Sequence, residues 1–146
     1  GKIHRIGEVD GDGQTMKACL QTIIGSIFYA TFEAATLAAK AGVSGENLHK
    51  VVSISGAGCA AVNTALENVI DRKLEGTGSH ISTMYKNLKL ALNLPEKLEV
   101  PMQIASSAMQ IFHAGKLKYP ECDNWACARD IEKIVGVELH TIGPQL

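Results

Sequence analysis

Apolar residues recur at intervals of three and four along this chain, and they do so most densely near its start. From about Gln14 to Ala41, the positions Ile23, Ile24, Ile27, Phe28, Thr31, Ala34, Ala35 and Ala38 cover much of a helix's circumference. That pattern predicts a long helix buried on more than one side, stopped by Gly42 as a C-cap. Ser44 then caps a second helix through Leu48, Val51, Val52 and Ile54, ended by Ser55 to Gly58. A third runs from about Cys59 to Leu74 through Val62, Leu66, Val69 and Ile70, and Gly76 to Ser79 is a loop. A fourth begins near Ser82 with Met84, Leu88, Ala91 and Leu92, and Pro95 marks its limit. Pro101 starts a fifth, with Ile104, Ala108, Ile111 and Phe112 on one stripe before Gly115. The sixth, Asp123 to Val135, turns inward Trp125 or Ala126, Ala128 or Arg129, and Ile131 or Ile134, then ends at Gly136. Ahead of them all, Lys2 to Val9 alternates loosely and reads as a short strand or extended tail entering a turn.

The expected fold is therefore all-α, a helical bundle whose first helix is about twice the mean length. So long an apolar helix needs more protein than its short neighbours supply, which predicts a missing domain, a second subunit, or both. Composition agrees with a helical core: aromatics are 5%, and alanine crowds Ala30 to Ala41 and Ala57 to Ala65, suiting close helix contacts. At 146 residues, 46% hydrophobic and with net charge −1, the chain can bury one core and has no bulk attraction to nucleic acid or anionic lipid.

Cysteines and histidines change the picture little. Cys19, Cys59, Cys122 and Cys127 form no C-x-x-C pair, and the apolar context of Cys19, Cys59 and Cys127 predicts small core residues in a reducing compartment. The five histidines are scattered without metal-ligand spacing, so no metal is expected. A membrane span over Thr22 to Ala39 is disfavoured by Glu33 within it and by Lys17 and Lys40 around it. Gly1 to Asp10 is charged and lacks an apolar signal core, so cytoplasm or an organelle matrix is the expected location.

The candidate chemistry lies where the long helix opens, at Gly11-Asp12-Gly13-Gln14-Thr15-Met16-Lys17, with Gln21 four residues on. That spacing puts an amine and an amide on one helical face. An amine in the first turns of a helix sits toward the positive end of the dipole, where anions are favoured and loss of the ammonium proton becomes easier. Such a lysine can bind a carboxylate or relay a proton.

This segment resembles the G-x-G-x-x-x-K signature of the β-hydroxyacid dehydrogenases, the family of 3-hydroxyisobutyrate, tartronate semialdehyde and threonate dehydrogenases. From about Lys2 to Leu139 the chain is similar to that family's helical C-terminal half, within the 6-phosphogluconate dehydrogenase superfamily. The resemblance implies that Lys17 is the general acid/base and that Gly13 and Gln21 lie on the substrate side. Gln21 stands where many members have asparagine; glutamine is common in members acting on four-carbon sugar acids. The run Glu33 to Val43 is similar to the family's E-A-x-x-L-A-x-x-x-G-(I/L/V), taken as structural. Tyr85-Lys86-Asn87-Leu88-Lys89-Leu90-Ala91 looks like K-D-L-x-L-A, which gives Lys86 a cofactor-side role, with Asn87 replacing the usual aspartate. Two further departures are Gly56-Ala57-Gly58-Cys59, where threonate-type members have G-N-S-W, and Asp123-Asn124-Trp125-Ala126, where the family tends toward D-x-S-A.

A dinucleotide site needs a strand, a G-x-G-x-x-G turn and a helix within a βαβ unit, and the sequence contains none. The reading is thus of residues 1–13 as a tail or linker from a missing Rossmann domain, 14–141 as a helical substrate-binding and dimerisation domain, and 142–146 as a C-terminal tail. The resemblance implies NAD or NADP held mainly by the missing domain, a small three- or four-carbon hydroxy acid as substrate, and a homodimer or tetramer. The competing expectation is a non-catalytic helical dimerisation module of a multidomain protein.

Overall fold

The structure is a computed structural model that describes residues 4–139. The helices are α1 (Asp12–Lys40), α2 (Gly45–Ile54), α3 (Ala60–Ile70), α4 (Ile81–Ala91), α5 (Asn93–Lys97), α6 (Gln103–Lys118) and α7 (Ala128–Val135), with a 3-10 turn at Asn124–Cys127 before α7. Among the described residues there is no strand, only an isolated bridge between His80 and Asp123. Residues 4–7 carry no regular structure and lead into a turn, so the strand alternative for the tail is corrected there. Its first residues and the 142–146 tail lie outside the described residues.

Helix α1 forms the spine. Gly11 sits in front of it at φ 104, a left-handed conformation that costs glycine nothing, and its carbonyl accepts from the Thr15 amide at 2.9 Å. At the other end the Gly42 amide donates to Ala39 and the Val43 amide to Ala38, the paired bonds of a Schellman cap. Ser44 caps α2 as expected, its hydroxyl accepting from the Asn47 amide.

The buried face of α1 runs through Thr22, Gly25, Phe28, Phe32 and Ala35, at steps of three and four. It packs on α3, α4, α6 and α7 around Phe28, Phe32, Leu66, Ile81, Leu88, Phe112 and Trp125. Phe28 meets Trp125 edge to face with centroids 4.9 Å apart, a favoured aromatic geometry. The buried hydroxyls of Thr22, Thr31 and Thr36 donate to carbonyls one turn back, so the helix satisfies its own polar groups.

Burial on more than one side of α1 is met in part among the described residues: Thr22, Gly25, Phe28, Thr31, Phe32, Ala35, Thr36 and Ala38 bury about half of the circumference against α2, α3, α4, α6 and α7, and the rest stays open. Met16, Leu20, Ile23 and Leu37 are exposed, Leu37 by 71%, and with Ile27, Ala30 and Ala34 they form a second apolar stripe along the helix. By length and composition α1 could also cross a membrane, but 44% of its most apolar window is buried against the other helices.

Other differences have local causes. Helix α3 stops at Ile70 instead of Leu74 because Arg72 takes a left-handed φ of 55 and turns its guanidinium to the buried Glu132 carboxylate at 2.7 Å. Helix α6 does not end at Gly115 but runs to Lys118; that glycine is buried in the helix, where a Cβ would meet Cys127 Sγ at 2.5 Å. The sixth element starts as a 3-10 turn in which Trp125 and Ala126 are buried and continues as α7, where Ala128 is buried, Ile134 is exposed and Ile131 packs on the core. Cys19 and Cys59 are exposed, and Cys122 and Cys127 are the buried pair, the reverse of the expectation for Cys19 and Cys59. Pro95 falls inside the short α5, just beyond the end of α4.

Asp123 proves structural. Buried to 3% exposure, it accepts from the Thr77 amide at 2.6 Å and hydroxyl at 2.7 Å. Trp125 Nε1 in turn donates to that hydroxyl at 2.8 Å, which ties the loop before α4 to the core.

Candidate functional site

On α1, Gln14, Lys17, Ala18 and Gln21 follow at offsets of three, four and seven, which is one face of a helix. On α4, Asn87, Leu90 and Ala91 repeat the same logic. The two faces enclose an open cleft of about 430 Å³ with exactly these seven residues as its walls. Its polar groups are one amine and three carboxamides.

The cleft is held together at its base. Asn87 Nδ2 donates to Gln21 Oε1 at 3.2 Å, joining α4 to α1. One turn further along α1, Gly25 lies against Leu88, so close that a Cβ would stand 2.8 Å from Leu88 Cδ1. Leu88 is fully buried, and this glycine is what lets the two helices approach. Lys17 is exposed on the cleft wall, and none of the described residues pairs with its amine.

The structure therefore brings Lys17 and Gln21 together and does not bring Gly13 or Lys86 to the same walls. Gly13 is exposed, with open space where a side chain would be. Lys86 is also exposed; one residue from Asn87, it points about 100° away around α4 and outside the cleft. Sequence reasoning passed over Gln14, although its spacing from Lys17 could have found it, and treated Asn87 only as a departure. No group of three His, Cys, Asp or Glu side chains suited to a metal occurs among the described residues.

The cleft offers hydrogen-bond donors from Gln14, Lys17, Gln21 and Asn87 beside apolar wall from Ala18, Leu90 and Ala91. Such a surface suits a small acid or polyol bearing an anionic oxygen. The fold and cleft define a helical domain with an open cleft lined by a lysine amine and three carboxamides.

Similarity to known proteins gives the family. A family profile described as NAD-binding of NADP-dependent 3-hydroxyisobutyrate dehydrogenase matches residues 11–130. The chain belongs to that family. It is 30% identical over 112 residues to the L-threonate dehydrogenase of Escherichia coli K12, a match that takes in 77% of this chain and 37% of the relative. A crystal structure of 3-hydroxyisobutyrate dehydrogenase from Salmonella typhimurium superposes with TM-score 0.83 at 24% identity, over 89% of this chain and 46% of that one. The Mycobacterium tuberculosis 3-hydroxyisobutyrate dehydrogenase with L-serine gives TM-score 0.82 at 25% identity, over 90% and 47%. The chain thus spans less than half the length of these relatives. The profile's description attaches NAD binding to the helical region itself, whereas the sequence reading gave the cofactor mainly to another domain.

Proposed function

We propose that this chain is the substrate-binding, catalytic-lysine domain, C-terminal in its protein, of an NAD(P)-dependent β-hydroxyacid dehydrogenase acting on a small hydroxy acid of the L-threonate kind. The observation that carries the reading is the cleft in which the Lys17 amine and the Gln21 amide share one wall. Family membership and the names of the relatives support the reaction class. In this reading residues 1–13 link to a dinucleotide-binding domain, 14–141 form the helical domain and 142–146 a tail.

The described residues contain no βαβ unit to cradle a pyrophosphate, so the helices fit the reacting end of the dinucleotide and not its full length. The chemistry that NAD(P)⁺ would supply when bound is a hydride acceptor for the carbinol carbon. Lys17, as the neutral amine, takes the hydroxyl proton during oxidation, and its ammonium returns that proton in reduction. Gln21 orients the hydroxyl or carboxylate from the same helical face. Lys86 and Gly13, outside the cleft walls, keep their cofactor-side and substrate-side roles only in the full-length protein, where an ammonium at Lys86 would favour the dinucleotide's anionic groups.

The second apolar stripe of α1 supports a homodimer or tetramer, since water-exposed Met16, Leu20, Ile23 and Leu37 gain from being covered. The test of function is turnover by the full-length protein with NAD⁺ and NADP⁺, following reduced nicotinamide with L-threonate and 3-hydroxyisobutyrate. Oxidation of either acid is expected. Cofactor binding without turnover of any hydroxy acid would favour a non-catalytic module.

A further inference from the structure

We propose that Asn87 is a positioning residue: through its hydrogen bond it fixes the carboxamide of Gln21 so that the cleft presents two donors, Lys17 Nζ and Gln21 Nε2, to one anionic oxygen of the substrate. The inference rests on the reading of the cleft as the substrate site and adds how its polarity is set.

A carboxamide can turn either an acceptor or donors toward a ligand, and only its hydrogen-bond partners decide which. Here Asn87 Nδ2 donates to Gln21 Oε1 at 3.2 Å, which turns the oxygen toward α4 and, in this reading, leaves Nε2 to donate into the cleft. Lys17 lies four residues earlier on the same face and supplies the second donor. The pair is held by packing and not by its own single bond. Gly25 stands one turn beyond Gln21, Leu88 stands next to Asn87, and these two touch closely enough to fix the spacing of α1 and α4. An aspartate at position 87 can only accept, so it would take a donor from Gln21, turn Oε1 toward the substrate and add a negative charge near Lys17. Asparagine at this position thus sets the Gln21 carboxamide to donate beside the Lys17 amine.

The experiment uses the full-length protein and whichever of L-threonate and 3-hydroxyisobutyrate it oxidises faster. Steady-state kinetics are measured for Asn87→Ala, Asn87→Asp, Gln21→Ala and the Asn87→Ala/Gln21→Ala pair, with thermal unfolding of each. Asn87→Ala is expected to raise KM about five- to tenfold with kcat within about twofold, and Asn87→Asp to raise it further. On the Gln21→Ala background, Asn87→Ala is expected to change KM by less than about twofold, because its effect passes through Gln21. Unchanged KM in Asn87→Ala and Asn87→Asp would overturn the inference, as would independent, multiplying effects of the two alanine substitutions. A fall in melting temperature with unchanged KM would assign Asn87 a structural tie and overturn it too. Wild-type turnover with such a result leaves the proposed function standing, whereas turnover of neither acid removes that function and this inference together.

Discussion

Gly25→Ala tests whether the α1–α4 seam is as tight as its geometry states. The added Cβ would lie 2.8 and 3.0 Å from the two Leu88 Cδ atoms and 3.3 Å from Cγ. Carbon atoms settle at about 3.5–4.0 Å, so the helices must part by about 0.7 to 1 Å. Leu88 is fully buried in the central cluster and has no room to turn away. Overpacking of this kind costs about 1–3 kcal/mol, and replacing a mid-helix glycine by alanine returns about 1 kcal/mol of helix propensity. The net expectation is a loss of about 1 kcal/mol, which lowers the melting temperature by about 2–4 °C for a domain of this size. Thermal unfolding followed by circular dichroism reads it. Adding Leu88→Ala makes space for the methyl, so the double variant is expected to be more stable than the sum of the two losses by at least about 0.5 kcal/mol. The same separation stretches the 3.2 Å Asn87–Gln21 bond toward the limit of hydrogen bonding, so KM of the full-length protein should rise. A melting temperature equal to or above that of the parent would refute the argument, because propensity would then have outweighed the contact.

Three further outcomes follow from other parts of the fold. Arg72→Ala leaves the Glu132 carboxylate, 3% exposed, with the Leu139 amide as its side chain's one partner among the described residues, and is expected to cost about 3–5 kcal/mol in denaturant unfolding; a loss below about 1 kcal/mol would show the pair to be incidental. Burial pushes the Cys127 thiol up to about 12, so from about pH 9, near its unfolded value, the unfolded state releases protons that the folded state keeps. Cys127 should then add a fall of up to about 1.4 kcal/mol per pH unit as pH rises toward 12; Cys127→Ala should flatten the profile to the slope left by Tyr29, Tyr119 and Cys122, whose acidic groups burial also raises, and identical pH profiles would contradict the burial of Cys127. The exposed stripe on α1 predicts a dimer or larger assembly of the full-length protein by light scattering, shifted toward monomer by Ile23→Glu with Leu37→Glu; a monomer at micromolar concentration before any substitution removes the argument.

Much of this fold was legible because capping and periodicity are local. Gly42 and Ser44 bracket the first loop as their residue types require, and Phe28, Leu66, Leu88 and Phe112 face inward from the stripes that named them. What failed depended on partners distant in sequence. Gly115 reads as a stop until Cys127 is seen pressed against it, and Arg72 ends α3 early because Glu132, sixty residues on, draws it over. Cys19 looks like a core residue because its neighbours are apolar, but it lies on the exposed side of α1. In the site, Lys17, Gln21 and the overlooked Gln14 share a face by spacing alone. Asn87 needed the packing of α4 on α1 before its bond to Gln21 could be known. Lys86 shows the reverse case, since a motif names the residue while the helix turns it out of the cleft.

The central claim is that Lys17 moves the proton, and kcat of Lys17→Ala in the full-length protein tests it most directly. With cofactor binding verified by nicotinamide fluorescence, kcat is expected to fall on the order of 100-fold or more, in line with loss of a general acid/base. A kcat within a few-fold of the parent would contradict the assignment and leave the cleft as a binding surface alone.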